Sequence, residues 1–301
     1  MTTYLSDTLN IGKESAYRRM KGEINFTFEE IILLSQKIGF SIDSIVGVRQ
    51  KQNALFNIHM LQDKDPFDIY TDKMAEYSRL FRNGSEKQGA KVRMALNTLP
   101  YYLHIDYEGL SRFRIYKWLY QNQLIKSKTN KFADFTLNPK MLDTHKTFHQ
   151  DINKIQNFTV IMDDDVFWSM AKDIEYFYKM GLLTKDDLLT LKSEMYELLV
   201  SVEQMATTGT TKYGSKIDLY VSSVSLEASY LHFEYANAQF SQVRIFSISA
   251  MDSSDKRLCT IQKDWIESLK KYSVLVSESG EMQRFEYMNK QREYINTILT
   301  V

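Results

Sequence analysis

One cysteine, three prolines and eleven glycines in 301 residues exclude several classes of protein at once. Cys259 has no partner for an internal disulfide and cannot by itself supply a cysteine zinc site. So little Pro and Gly rules out a collagen-like or low-complexity chain, and 44% hydrophobic with 25% charged residues is an ordinary globular composition with material for a sizeable core. Net charge is missing too. Lys+Arg 38 against Asp+Glu 38 leaves no global field toward nucleic acid or an anionic membrane, so any attraction to DNA must be local. With no run of about 18 apolar residues and no N-terminal apolar signal, the composition points to a cytoplasmic protein with no membrane partner.

What is present begins at the N-terminus, in LSDTLNIGKESAYRRMKGE. Leu5 and Leu9 lie one helical turn apart and can face a core, with the small Ser6 between them. Asn10 falls where the chain must turn, and Asn tolerates the left-handed conformation. Ile11 plugs the corner and Gly12 caps a second helix, whose Ala16 and Met20 are expected to point inward while Lys13, Glu14, Tyr17, Arg18 and Lys21 form an outer face. Gly22 stops it. Thr27 and Glu30 then make a capping box before Ile31, Ile32, Leu33 and Leu34, Ile38 follows one turn later, and Gly39 terminates that helix. SIDSIVG, from Ser41, reads as a last short turn.

Residues 4 to 47 resemble the Cro and lambda-repressor type of helix-turn-helix domain. The resemblance rests on LSDTLNIGKESAYRRMKG, TFEEIILLSQKIGF and SIDSIVG in that order. It implies that the second helix enters the major groove of double-stranded DNA with its N-terminal residues at base edges. The candidate DNA-binding residues are then Lys13, Glu14, Ser15, Tyr17, Arg18, Arg19 and Lys21, with Arg19 and Lys21 assigned to phosphates and Arg18 to a base edge. Residues 1–50 carry six basic and six acidic groups, so basic charge is concentrated only at Arg18, Arg19 and Lys21. The family has a complete helix ahead of the first one here, and that helix is expected upstream of Met1. The alternative is a degenerate module.

VRQKQN at 48–53 suits a linker, which sets the expected domains at 1–49 and 50–301. Beyond it, ALFNIHM and Val92, Met94 and Leu96 alternate as strands do, and Phe67, Tyr70, Met74, Tyr77 and Phe81 give one buried helix face after Asp65 and Pro66. FRIYKWLY at 113–120 mixes Arg114 and Lys117 with aromatic residues. That pattern suits single-stranded nucleic acid, but a half-buried helix with snorkelling basic side chains is the preferred reading. His145 and His149 have metal-ligand spacing with no third ligand at a recognisable interval, so a packed or surface pair is expected. Asp163, Asp164 and Asp165 read as a capped helix start. Leu188, Leu191, Met195, Leu198 and Val202 read as internal core in preference to a subunit seam. TTGTTKYGSK lacks the ending of a phosphate loop. IDLYVSSVSL, YLHFEYA, VRIFSI and SVLVS read as strands, with helices marked by Leu258, Ile261, Trp265 and Leu269 and by Met282, Phe285, Met288 and Ile295.

The expected fold is therefore α+β: a small all-helical helix-turn-helix module followed by a larger α+β domain. The expected function is a sequence-specific transcriptional regulator whose second domain dimerises, senses a small-molecule effector, or both. Aromatic content, 19 Tyr and 17 Phe, is enough to enclose a pocket for a small apolar or aromatic molecule, or simply to fill cores. The alternative is an interaction scaffold whose module no longer binds DNA. No nucleophile, metal set or phosphate loop stands at diagnostic spacing, so neither an enzyme nor a cofactor is expected.

Overall fold

The computed structural model describes residues 1–40, 42, 54, 56–58, 65–124 and 131–300. The chain divides into two compact units, Met1–Leu55 and Phe56–Val301. Most of SIDSIVG, all of VRQKQN and Leu55, His59 and Met60 of ALFNIHM lie outside the described residues.

In the first unit, α1 (Thr2–Leu9), α2 (Lys13–Met20) and α3 (Phe28–Ile38) close on Leu5, Leu9, Ala16 and Leu34, with Ile11, Phe26 and Phe40 packed against them. The corner between α1 and α2 follows from its residues. Asn10 adopts the left-handed conformation at φ 53° and Ser6 Oγ donates to the Ile11 carbonyl at 2.6 Å. The capping box of Thr27 and Glu30 forms as expected, and Gly39 ends α3 at φ 79°. Met20 departs from expectation: Ala16 is buried, but Met20 is 45% exposed. An eight-residue helix turns only one narrow stripe to so small a core, and Ala16 fills it.

The second unit is built on one eight-stranded sheet: β1 (Asn57–Ile58), β2 (Lys91–Leu96), β3 (Asn157–Met162), β4 (Lys216–Ser222), β5 (Tyr230–Tyr235), β6 (Ala238–Phe246), β7 (Ser249–Ser253) and β8 (Ser273–Leu275). Its order is β1-β7-β6-β5-β2-β3-β4-β8. β2, β3 and β4 are parallel neighbours and every other pairing is antiparallel. Parallel neighbours need crossovers. These are α5 (Tyr101–His104), α6 (Glu108–Gln121) and α7 (Pro139–Ile152) between β2 and β3, then α8 (Val166–Lys179) and α9 (Lys185–Thr208) between β3 and β4. α4 (Pro66–Ser85) precedes the sheet core, and α10 (Lys256–Leu269) and α11 (Glu281–Ile298) close the chain. The chain is thus α+β.

Register decides which side chains meet which helices. Val92, Met94, Leu96, Phe158, Val160, Met162, Ile217 and Leu219 face the main core, while Ala95 and Ile161 point to the other side, where Ile266 and Leu269 of α10 cover them. Leu188, Leu191, Met195, Leu198 and Val202 of α9 are fully buried, so that stripe is internal core.

Three local readings are corrected and one strand is added. β3 was not anticipated, because FTVIM is buried on both faces and so shows no alternation. In α10 the buried face is Cys259, Gln262, Ile266 and Leu269, leaving Ile261 and Trp265 partly exposed; Gln262 is admitted because its amide donates to the carbonyls of Leu231 and Gln242. Met288 and Ile295 of α11 are buried but Met282 and Phe285 are exposed. The acidic run does not cap α8 through a side chain: Asp163 accepts from the Leu226 N–H at 3.0 Å, and Asp164 pairs with Lys290. No helix among the described residues is long and apolar enough to cross a membrane.

Candidate nucleic-acid interface and candidate effector cavity

Five of the seven residues expected at DNA stand on one exposed face of α2 and the turn after it: Lys13, Glu14, Tyr17, Arg18 and Lys21. Lys21 lies over the Tyr17 ring at 5.6 Å. Arg18 Nε meets Glu23 at 3.2 Å, but both side chains are about half exposed, and such pairs contribute little and exchange readily for another anion. Glu14 has no side-chain partner among the described residues.

Ser15 and Arg19 are half-buried and turned toward α3. Arg19 donates from Nε and Nη2 to the two carboxylate oxygens of Glu30 at 3.0 and 2.9 Å, and from Nη1 to Ser15 Oγ at 2.6 Å. This bidentate bond holds the Glu30 carboxyl below its ordinary range. Glu30 also closes the α3 capping box. Arg19, expected at a phosphate, is therefore a strut between α2 and the start of α3. Replacing it with alanine is expected to cost the module about 1 kcal/mol. That contribution is present above the unfolded pKa of Glu and is lost as the pH falls through the lowered folded value. Amide exchange of α2 and α3 in the full chain checks this, and unchanged protection in Arg19→Ala would remove the strut from the account.

The second unit holds two adjoining cavities beyond the ends of β2 and β5. Their floor is one face of the sheet, since pairing sets Met94 against Leu231 and Leu231 against Gln242, and the next residues on that face are Leu96, Ser229 and Arg244. α4 supplies Tyr70, Met74 and Tyr77, α7 supplies Phe148 and Ile152, and α6 supplies Arg114 and Trp118. This aromatic chamber has a volume of about 150 Å³. A more polar one of about 260 Å³ adds Asn97, Thr98, His104, Lys117, Asp173 and Glu227. Arg114, Ser229, Arg244 and Ile248 border both.

A hydrogen-bonded chain fixes Arg114. Its Nη1 donates to Tyr70 Oη at 3.2 Å, and its guanidinium stacks on the Tyr101 ring at 4.1 Å. Tyr70 Oη and Tyr101 Oη bracket the His145 ring at 2.9 and 2.7 Å, and Tyr101 Oη meets Ser111 Oγ at 3.0 Å. One direction satisfies the whole chain: Arg114 to Tyr70, Tyr70 to His145 Nε2, His145 Nδ1 to Tyr101, Tyr101 to Ser111. It requires a neutral imidazole, and burial with Arg114 nearby lowers the His145 pKa to about 3. Arg244 donates to Thr98 Oγ1, while burial and then Arg114 lower its pKa to about 10.

The expected histidine pair thus separates: His145 joins this chain and His149 meets Asp106 at 2.9 Å. No cluster among the described residues could hold a metal ion. FRIYKWLY lies in α6 with Phe113, Tyr116 and Trp118 buried, as the half-buried reading expects, but Arg114 and Lys117 border cavities rather than bulk solvent. Arg244 was not singled out in sequence, for it sits in an ordinary-looking strand segment. Compared with protein-family models, curated proteins and solved structures, the chain matches none.

Proposed function

We propose that the chain is a cytoplasmic, sequence-specific DNA-binding transcriptional regulator, in which the helical unit reads double-stranded DNA and the α+β unit senses an effector and dimerises. The observation that carries the reading is the outer face of α2. Lys13, Glu14, Tyr17, Arg18 and Lys21 all project from a helix that follows a tight corner and from the turn after it, exposing donors, an acceptor and an aromatic ring to a groove. Lys13 and Glu14 open the helix, where base edges are met in this docking geometry.

Selection of duplexes from a random pool by the full chain tests it, with an enriched, two-fold symmetric sequence as the expected result. Light scattering on the same protein is expected to report a dimer, because two-fold half-sites call for a two-fold protein. The second reading, a scaffold with a degenerate module, is favoured by the balanced charge of residues 1–50. A pool with no enriched sequence even at low salt, together with a strict monomer, would decide for it.

A further inference from the structure

Withdrawing a guanidinium from water without an anion is costly, and the cavities hold two half-buried ones side by side, Arg114 and Arg244. Arg114 has Tyr70 and the Tyr101 ring; Arg244 has Thr98. Neither forms an ion pair among the described residues, although Arg82, Arg93, Arg292 and Lys117 in the same unit all do. Lys117 is held by Asp173 at 2.5 Å, and Glu227 is exposed, so no carboxylate among the described residues pairs with the two arginines. The positive field also reaches His104, whose pKa is held well below its ordinary value by burial and then by Arg114, Arg244 and Lys117. Three residues lining the same space carry polar atoms without partners. Tyr102 Oη, Trp118 Nε1 and His104 Nδ1 have no hydrogen-bond partner among the described residues. The aromatic chamber at about 150 Å³ matches the size of an apolar cavity that accepts benzene.

We propose that this double cavity binds a small organic acid: one aromatic ring or an apolar group of similar size in the chamber of Tyr70, Met74, Tyr77 and Trp118, and a carboxylate or phosphate between Arg114 and Arg244. Thr98, whose Oγ1 accepts from Arg244, completes the head-group site with its hydroxyl donor, while the Ser229 hydroxyl donates to Asn97 Oδ1 at 2.7 Å. The proposal deepens the effector half of the proposed function and rests on it only for what binding accomplishes.

Calorimetric titration of the full chain without DNA separates the two, because a protein that fails to select DNA can still bind the acid. The probes are phenylacetate and phenyl phosphate, each against its neutral counterpart 2-phenylacetamide or toluene, with acetate and inorganic phosphate as head groups alone. At least one aryl anion is expected to bind about tenfold or more tightly than the neutral ring compounds and than either bare head group. Which anion wins distinguishes carboxylate from phosphate recognition. Arg244→Met and Arg114→Met should each lower that affinity about tenfold or more. Arg244→Met should also leave the unliganded Tm unchanged or raised, since a merely structural arginine would lower it. Failure of both aryl anions to bind, equal binding of the neutral compounds, or undiminished affinity in either folded variant would overturn the proposal.

Discussion

Acidifying the protein from about pH 7 to about pH 4.5 should unfold the α+β unit, with stability falling by about 1.4 kcal/mol per pH unit for each histidine buried in neutral form. Among the described residues three buried histidines meet that condition, and the half-buried His149, also lowered by burial, adds in the same sense. His145 is pushed down to about 3 by burial and Arg114, His232 to about 4 by burial and Arg93, and His104 well below its ordinary value. In the unfolded chain each titrates near about 6.5. The folded state therefore binds fewer protons below that value, so stability is complete above about pH 6.5 and is lost as the pH falls toward the folded values. Three such groups give a slope of roughly 4 kcal/mol per unit, enough to exhaust a domain of about 5–15 kcal/mol within two or three units. Carboxylates enter only at the low end of this window. Glu267, at about 2, and Asp151, held low by Arg82, contribute losses only below their unfolded values near about 4. Asp163 is raised by burial and acts in the opposite sense, offsetting a part at the low end. Urea midpoints across this range measure the slope. His145→Gln, which keeps a donor and an acceptor between Tyr70 and Tyr101, should reduce it by about one histidine's share. A midpoint that does not move between about pH 7 and 5 would refute the buried neutral histidines.

The helical unit was legible in sequence because its signals are local. Asn10, Gly12, Thr27, Glu30 and Gly39 act within one turn of their own position, and each does in space what its neighbours suggest. What sequence did not show is what Arg19 does, since its partner Glu30 is eleven residues away in the next helix. In the α+β unit the flanking strands show alternation, whereas β3 is buried on both faces, with Thr159 among its buried residues, and shows none. The cavity was the least legible feature. Arg114 sits in a helix whose pattern fits any half-buried surface, and Arg244 in a strand that an arginine ordinarily leaves toward water. Only the route of the chain, from β2 through α5 and α6 on one side and through β5 into β6 on the other, makes them neighbours. Aromatic count raised the possibility of a pocket without separating it from a filled core. The two guanidinium groups without an ion pair among the described residues favour the pocket proposed above.

Alanine at Lys13, Arg18 and Lys21 together should lower affinity for a selected duplex roughly a hundredfold to a thousandfold, with losses divisible by kind. All three side chains are exposed, and the only ion pair they make among the described residues, Arg18 with Glu23, is half exposed, so the fold of the unit loses almost nothing. That makes the variants a clean measure of binding, which Arg19→Ala is not. Arg18→Ala should relax preference at one base pair, since a bidentate arginine contact to guanine discriminates by about 1–3 kcal/mol. Lys21→Ala should weaken every sequence alike and make the dependence of log affinity on log salt shallower by about one unit, as loss of one phosphate contact does. Lys13, at the first turn of α2, decides between the two kinds: a change in preference places it at a base, a change in salt slope alone at the backbone. Titrations of each variant on selected and scrambled duplexes at several salt concentrations give all three answers. In Arg19→Ala, by contrast, affinity and α2 protection should fall together, because the helix loses its tie to Glu30 before any contact to DNA is counted. Should the triple variant, folded by amide exchange, bind the selected duplex as the parent does, the exposed face of α2 is not the reading surface and the helical unit serves another partner.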